Sequence, residues 1–430
     1  MRGVNTHVDP QLGRRLPQIK PGRAALPLSK SMALRGLVVA AGLQRSAELA
    51  SASPSAWNDL GGDLSAGISC AGALGAEISI NGPSLKISPG QVTRAGALSV
   101  GESGFLGRVV PICAALGRGG DWVVEAKGTL RDRASEPLWD CVRGAGARLG
   151  FNGSWVSELS APAEFAPLDL CNPVSSQELS ALLIGLAACG GGDFKVEGEI
   201  PSRPYLEMTA SMLRSFGFEV SESAGSFRVE GFAVDPEAPL LVEVDASAAA
   251  VALAAGCLSG VRVDVPVPLQ DSVQGDWRIV EHLRAFGCEI EESEERLVAA
   301  GPPVHSVDLD LAGEPDLAPV LAIIAAAAAL RGAGPSSLRG LETLDKKESA
   351  RGAVLSSGLR DAGFQCDWSG SSLKIYGRPS SSAPVSLNAF EDHRMGFAFS
   401  LLGIICPNVW VAQGSCIQKS WPGFWSSMVE

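Results

Sequence analysis

The stretch MLRSFGFEVSESAGSFRVEG, residues 212–231, carries the grammar of the whole chain. An amphipathic helical run ends on Gly217, and two short strand-like runs follow, joined by the turn residues Ser-Ala-Gly. A glycine at that junction lets a helix close in the left-handed conformation that other residues adopt only at a cost. The small-residue turn then fits a hairpin.

Four further stretches repeat this pattern: AGALGAEISINGPSLKISPG, CVRGAGARLGFNGSWV, HLRAFGCEIEESEERLVAAG and GLRDAGFQCDWSGSSLKIYG. The matching glycines are Gly75, Gly146, Gly217, Gly287 and Gly363, at intervals of 71, 71, 70 and 76. So long a period excludes a small solenoid, because each unit has room for about two helices and three or four strands. One more period runs past the C-terminus, and one fewer arrives near the N-terminus. A sixth unit is therefore expected to be split, with its helix in WPGFWSSMVE and its strands at the start of the chain. Six βαβ-type units imply an α/β fold of two globular halves with three units each. The crossings are expected near residues 24–28 and 235–242, where VDPEAPLLVEVD supplies a proline-containing connector. This predicts one domain of residues 1–26 with 242–430 and an inserted domain of 27–241.

Composition narrows the function. The chain has 430 residues, enough for two or three domains, with 35 Lys and Arg against 47 Asp and Glu, a net charge of −12. That balance disfavours nucleic acid as a partner, so an anion would need locally concentrated basic groups. No apolar run is long enough to span a bilayer, and LAPVLAIIAAAAAL, residues 317–330, reads as a buried helix. The N-terminal segment lacks a signal-peptide core, which gives a cytoplasmic expectation with no membrane partner. Ten cysteines lie scattered without a CxxC, as small core residues do, and His7, His282, His305 and His393 lack metal-ligand spacing. A histidine-based metal site is therefore disfavoured. Neither CGGGDF nor GESGFLGR fits a nucleotide loop.

Basic and hydroxyl residues instead gather where helices begin: SKSMALR, RDRASEPL, VSSQELSALL, IPSRPYLEMT, DKKESARG, EDHRMG and IQKSWP. Free backbone N–H groups and the helix dipole favour anions at such junctions. Each has a plain structural reading, since Ser175 with Glu178 has capping-box spacing and Lys347 with Glu348 can be a solvated pair. Seven occurrences of one combination favour the functional reading.

As a set, these motifs resemble the 5-enolpyruvylshikimate-3-phosphate synthase family, in order from Leu26 to Pro422. The resemblance implies a two-domain enolpyruvyl transferase fold of six repeats, with the active site in the interdomain cleft and a monomeric enzyme. The reaction implied moves the enolpyruvyl group of phosphoenolpyruvate to the 5-hydroxyl of shikimate 3-phosphate, releasing phosphate, and requires no metal and no organic cofactor. Carried over by position, Lys30, Asp316 and Glu348 are the proton-transfer residues. Ser31, Arg35, Ser175, Ser176, Gln177, Ser202, Tyr205, Thr343 and Lys347 match the acceptor side. Lys30, Gly104, Arg133, Gln177, Arg351, Arg394 and Lys419 match the groups that hold phosphoenolpyruvate.

Several positions depart from the family pattern. SASPSAW replaces an acidic loop after the first helix, and Leu28, Phe105, Thr343 and Ala350 replace the residues usual there. Glu102 in GESGFLGR would repel a bound phosphate by roughly 4 kcal/mol at about 4 Å and an effective dielectric near 20. It is therefore expected to be turned away or paired with Arg108 or Arg133. The competing readings are an enolpyruvyl transferase with another hydroxyl acceptor and a non-catalytic anion-binding protein.

Overall fold

The computed structural model describes residues 8–429 except 10, 17, 54–56, 59, 134 and 378–382. Parts of the first-strand region, of SASPSAW and of RDRASEPL thus lie outside the described residues. The chain divides into two compact units, one of Leu28–Glu243 and one combining the residues up to Pro27 with those from Val244 onward.

Each unit holds three four-stranded sheets. The hairpin predicted at residues 212–231 forms between Phe218–Ser223 and Ser226–Gly231, with Val220 opposite Val229. Strand Gly192–Glu197 runs antiparallel to its second arm and parallel to Leu168–Cys171. All five register glycines, from Gly75 to Gly363, have φ between 81° and 103°. At Gly217 a Cβ would also fall 2.5 Å from the carbonyl oxygen of Phe232, so both conformation and space require glycine.

The sixth sheet joins the two ends of the chain. Val385–Asn388 pairs in parallel with Val409–Ala412, which meets Gly13–Arg14 at Arg14 opposite Val411. Val8–Asp9 completes the hairpin, and helix Phe424–Met428 lies in WPGFWSSMVE. The crossing segments also lend strands, which the repeat pattern alone did not indicate. Gly22–Arg23 pairs with Val263–Pro266, and Leu240–Leu241 with Ala47–Ala50.

Each unit has its own apolar core. Helix Ala318–Leu330 is buried on every side from Ala318 to Ala328, which explains its all-apolar sequence without a membrane. Helices Ala246–Ser259 and Ser176–Ala188 are similarly enclosed. Strands are half-buried: in Asp121–Ala126, Trp122, Val124 and Ala126 point inward and alternate residues outward. No helix among the described residues is long and apolar enough to cross a membrane.

Candidate active site

Each unit carries one polar cluster at the starts of its helices. In the unit of Leu28–Glu243, Lys30 opens helix Lys30–Leu43 behind the N-cap Ser29. Its ammonium lies 3.0 Å from Asp63 Oδ2, whose side chain is 6% exposed. Asp63 sits in the first turn of helix Gly62–Ala73. An acidic group therefore faces Lys30 a few residues beyond SASPSAW.

Arg35, one turn after Ser31, is buried. It donates from Nε to Thr209 Oγ1 (2.8 Å), from Nη1 to the Ser31 carbonyl (2.9 Å) and from Nη2 to the Tyr205 carbonyl (3.0 Å). The Phe105 ring lies 4.6 Å from its guanidinium carbon. Burial lowers the Arg35 pKa to about 10, with Tyr205 opposing. Three protein acceptors leave this guanidinium two N–H groups for any ligand, so its first role is to tie its own helix to Arg203–Ser215.

Ser175 is an N-cap, accepting from Gln177 N at 3.2 Å, and Ser176 opens the helix behind it. Glu178 accepts from Val174 N (2.9 Å) and the Ser135 hydroxyl and also interacts with the Ser175 amide, while Ser175 Oγ takes Gln177 N rather than the Glu178 amide of a full capping box. Ser202 is different: it is buried, at φ 53°, and makes no side-chain cap bond to the helix Arg203–Ser215 that it precedes. A strained non-glycine residue whose hydroxyl is not used as a cap fits a binding role better than a structural one.

Arg108 is the residue that sequence reasoning undervalued, having weighed it only as a partner for Glu102. It is buried in helix Gly104–Arg118 and donates to Ser135 Oγ (2.7 Å), the Gly104 carbonyl (3.0 Å), Gln177 Oε1 (3.2 Å) and the Arg133 carbonyl (3.5 Å). Three of the residues assigned to phosphoenolpyruvate therefore hang on one guanidinium. Arg133 itself has buried Nε and Nη1 atoms with no hydrogen-bond partner among the described residues, two donors available to an anion. Glu102 lies against Gly128, where an added Cβ would meet its Oε1 at 2.1 Å.

The second unit gathers Asp316, Lys347, Glu348, Arg351, Arg394 and Lys419. Asp316 Oδ1 lies 3.0 Å from Arg351 Nη1 and 3.5 Å from Lys347 Nζ, and its Oδ2 lies 2.8 Å from Arg394 Nη2. Burial pushes the Asp316 carboxyl up, but Arg394, Lys347 and Arg351 outweigh it and hold the pKa well below the usual range. Arg351 also binds Asp392 through Nε (2.7 Å) and Nη2 (3.2 Å), so all three of its nitrogens face carboxylates. Asp392 caps helix His393–Ile405 and takes a further bond from Ser349 (3.0 Å). The two preceding residues, Phe390 and Glu391, have φ of 50° and 57°, a strained corner that delivers the helix start.

Glu348 is held at both oxygens, by His393 Nδ1 (2.8 Å) and Lys419 Nζ (2.9 Å). Burial opposes its ionisation, while His393, Lys419 and Arg351 more than offset it and lower the pKa well below the ordinary value. His393 was set aside at the sequence level for lacking metal-ligand spacing, yet its partner is a carboxylate 45 residues away. Glu348, Asp392 and His393 come close enough to hold a cation, but Lys419 and Arg351 already neutralise those carboxylates. Thr343 Oγ1 is buried with no partner among the described residues, a hydroxyl available to a ligand.

Similarity to known proteins agrees with this architecture. The fold is that of enolpyruvyl transferases. An EPSP synthase structure from Acinetobacter baumannii matches with a TM-score of 0.69 over 95% of this chain and 96% of that one, at 22% identity. The enolpyruvyl transferase NikO from Streptomyces tendae matches with 0.66 over 96% and 95%, at 15% identity. In sequence, the family model described as EPSP synthase (3-phosphoshikimate 1-carboxyvinyltransferase) matches residues 20–428. A 3-phosphoshikimate 1-carboxyvinyltransferase from Thiobacillus denitrificans is 31% identical over 353 residues, 78% of this chain and 80% of the relative. One from Laribacter hongkongensis is 31% identical over 341 residues, 77% and 78% of the two chains. The chain belongs to the EPSP synthase family.

Proposed function

We propose that this chain transfers the enolpyruvyl group of phosphoenolpyruvate to the 5-hydroxyl of shikimate 3-phosphate, with release of phosphate, as a step of aromatic amino acid biosynthesis. We place it in the cytoplasm as a monomer. The observation that carries the reading is the pair of half-buried carboxylates, Asp316 and Glu348, each ion-paired to several cationic side chains. An anion-binding protein has no use for such groups, whereas addition and elimination across a carbon–carbon double bond needs both a proton donor and an acceptor.

The chemistry follows from those groups. A proton passes to the methylene carbon of phosphoenolpyruvate, the acceptor hydroxyl attacks the adjacent carbon and loses its proton, and the tetrahedral adduct expels phosphate as the methyl group returns a proton. Glu348 and Lys30 move the carbon-bound proton, and Asp316 takes the hydroxyl proton. Asp316 is a weak base while Arg394, Lys347 and Arg351 surround it. Substrate phosphate and carboxylate groups compete for those cations, and the proton affinity of Asp316 rises once they bind. Each charge-assisted hydrogen bond from the arginines and lysines contributes about 1.5–3 kcal/mol, offsetting the repulsion between two anionic substrates. Ser175, Ser176 and Ser202 hold the 3-phosphate. Ser31, Arg35, Gln177, Tyr205, Thr343 and Lys347 orient the ring, while Gly104, Arg133, Arg351, Arg394 and Lys419 hold phosphoenolpyruvate.

The decisive experiment is phosphate release from phosphoenolpyruvate with and without shikimate 3-phosphate. Release that requires the acceptor supports the reading. Binding of both compounds without release turns the assignment toward another acceptor or a binding role.

Gly104 provides a local test. A Cβ there would fall 2.4 Å from Arg133 Nη2 and 3.0 Å from Arg108 Nη1. Arg133 can swing aside, so Gly104→Ala is expected to fold normally and to raise the KM for phosphoenolpyruvate by about tenfold, the loss of one charge-assisted bond. An unchanged KM, measured in initial-rate assays, would remove Arg133 from the grip.

A further inference from the structure

Asp276 is a buried carboxylate that the reaction as described does not use. It lies in the short 3₁₀ turn Gly275–Arg278, which is fastened to the start of helix Ala246–Ser259 by Gln274. The Gln274 side chain accepts from Ala246 N at 3.2 Å and donates to the Val244 carbonyl at 2.9 Å. At this junction the Ser247 hydroxyl donates to Asp276 Oδ2, and Ser247 Oγ accepts from Arg394 Nη2 at 3.2 Å. The same Nη2 reaches Asp316 Oδ2 at 2.8 Å.

The direction of this chain is fixed by its ends. A guanidinium only donates, so Ser247 must accept from Arg394 and send its single proton onward to Asp276. We propose that Asp276 is a positioning residue for Arg394, acting through the Ser247 hydroxyl, and that its negative charge holds the guanidinium where phosphoenolpyruvate is gripped. The inference rests on the enolpyruvyl-transfer reading and adds to it a residue that touches no substrate.

The surroundings make the charge on Asp276 conditional. Burial raises its pKa to about 6. Arg394 and the Ser247 hydroxyl oppose that rise, and the neighbouring Asp316 and Asp245 carboxylates add to it. Above that pH the ionised carboxylate accepts from Ser247. Below it the carboxyl gains a proton of its own and competes to donate to Ser247 Oγ, the lone pair that Arg394 occupies. The hold on Arg394 therefore weakens as the pH falls through about 6.

The test compares wild type, Asp276→Asn and Ser247→Ala in initial-rate assays between pH 5 and pH 8. The phosphate of phosphoenolpyruvate titrates near pH 6 as well, but this cancels in the ratio of variant to wild-type KM. For Asp276→Asn the KM ratio for phosphoenolpyruvate is expected to be on the order of tenfold at pH 8, the loss of one charge-assisted interaction, and to fall toward one at pH 5. Ser247→Ala should raise the same KM, and the double variant should add little to either single change. The KM for shikimate 3-phosphate should stay within about twofold in all of them. A ratio that is flat across pH overturns the proposal, because a structural role alone would give that result. Crystal structures of wild type at pH 5 and pH 8, and of Asp276→Asn, judge it independently of turnover. If Arg394 keeps its 3.2 Å contact with Ser247 in all three, the proposal fails even where the enzyme is active. If wild type releases no phosphate, the functional reading fails, while movement of Arg394 between the structures still decides the role of Asp276.

Discussion

Replacing Glu348 by glutamine is expected to lower turnover by about 10²–10⁴-fold, the usual contribution of a positioned acid or base. Glutamine keeps the shape and one acceptor oxygen, and it can still meet either His393 or Lys419, the two groups that now hold the carboxylate at 2.8 and 2.9 Å. It cannot carry a proton. Held at both oxygens and with its pKa lowered, against the effect of burial, by His393 and Lys419, Glu348 stands ionised in the free protein, a weak base whose proton affinity rises as substrate anions draw those cations away. Binding should survive the change, so the KM values for both substrates should move by no more than about threefold while kcat falls, the pattern of an interaction made only at the transition state. A second readout isolates the step: in deuterated water, label should enter the methylene group of phosphoenolpyruvate with wild type and not with Glu348→Gln. Continued label exchange in the variant would transfer the proton step to Lys30 alone.

The repeat was legible because a helix that ends on a left-handed glycine and runs into a hairpin is a local event, complete within about 20 residues, as Gly217 and its four counterparts show. The strands lent by Gly22–Arg23 and Leu240–Leu241 were not legible, since two residues carry no alternation and only the pairing defines them. The site divides in the same way. Helix starts are readable, and most of the candidate cations lie on them. The groups that orient those cations are not readable, because each is an ordinary residue made special by a distant partner. Ser135 meets Arg108 across 27 positions and Glu178 across 43, while Ser247 meets Asp276 across 29. Arg108 was in view within GESGFLGR, but only burial shows that Gly104, Arg133 and Gln177 depend on it. Arg35 shows the converse. The family resemblance put it on the acceptor side, whereas much of its fork is already engaged by Thr209, Ser31 and Tyr205.

Arg108→Ala should damage both stability and binding, and pH separates the two effects. Arg108 and Glu178 are joined through Ser135 in the interior of one unit. Burial lowers the Arg108 pKa to about 10, Arg133 adds to the decrease, and Glu178 counters it. Glu178 has the opposite difficulty, for burial raises its pKa while Ser135, Arg108 and the Val174 and Ser175 amides resist. Removing Arg108 leaves a buried carboxylate without its cation, a change that costs about 3 kcal/mol in comparable sites. The sign with pH follows from the raised pKa. Glu178 favours its proton more in the folded than in the unfolded state, so the deficit is smallest at and below the ordinary value of 4.5 and grows as pH rises above it. Urea unfolding of wild type and Arg108→Ala at pH 5 and pH 8 measures that growth, and an equal deficit at both would show that Glu178 does not sense Arg108. Binding should fail at every pH, because Gln177 and Arg133 lose their common anchor, and the KM for phosphoenolpyruvate should rise on the order of 100-fold, about two charge-assisted bonds. Arg108→Lys separates charge from geometry. A lysine keeps Glu178 company but cannot reach Ser135, Gln177 and two carbonyls at once, so it should restore most of the stability and little of the affinity. Recovery of both would make Arg108 a counter-ion and nothing more.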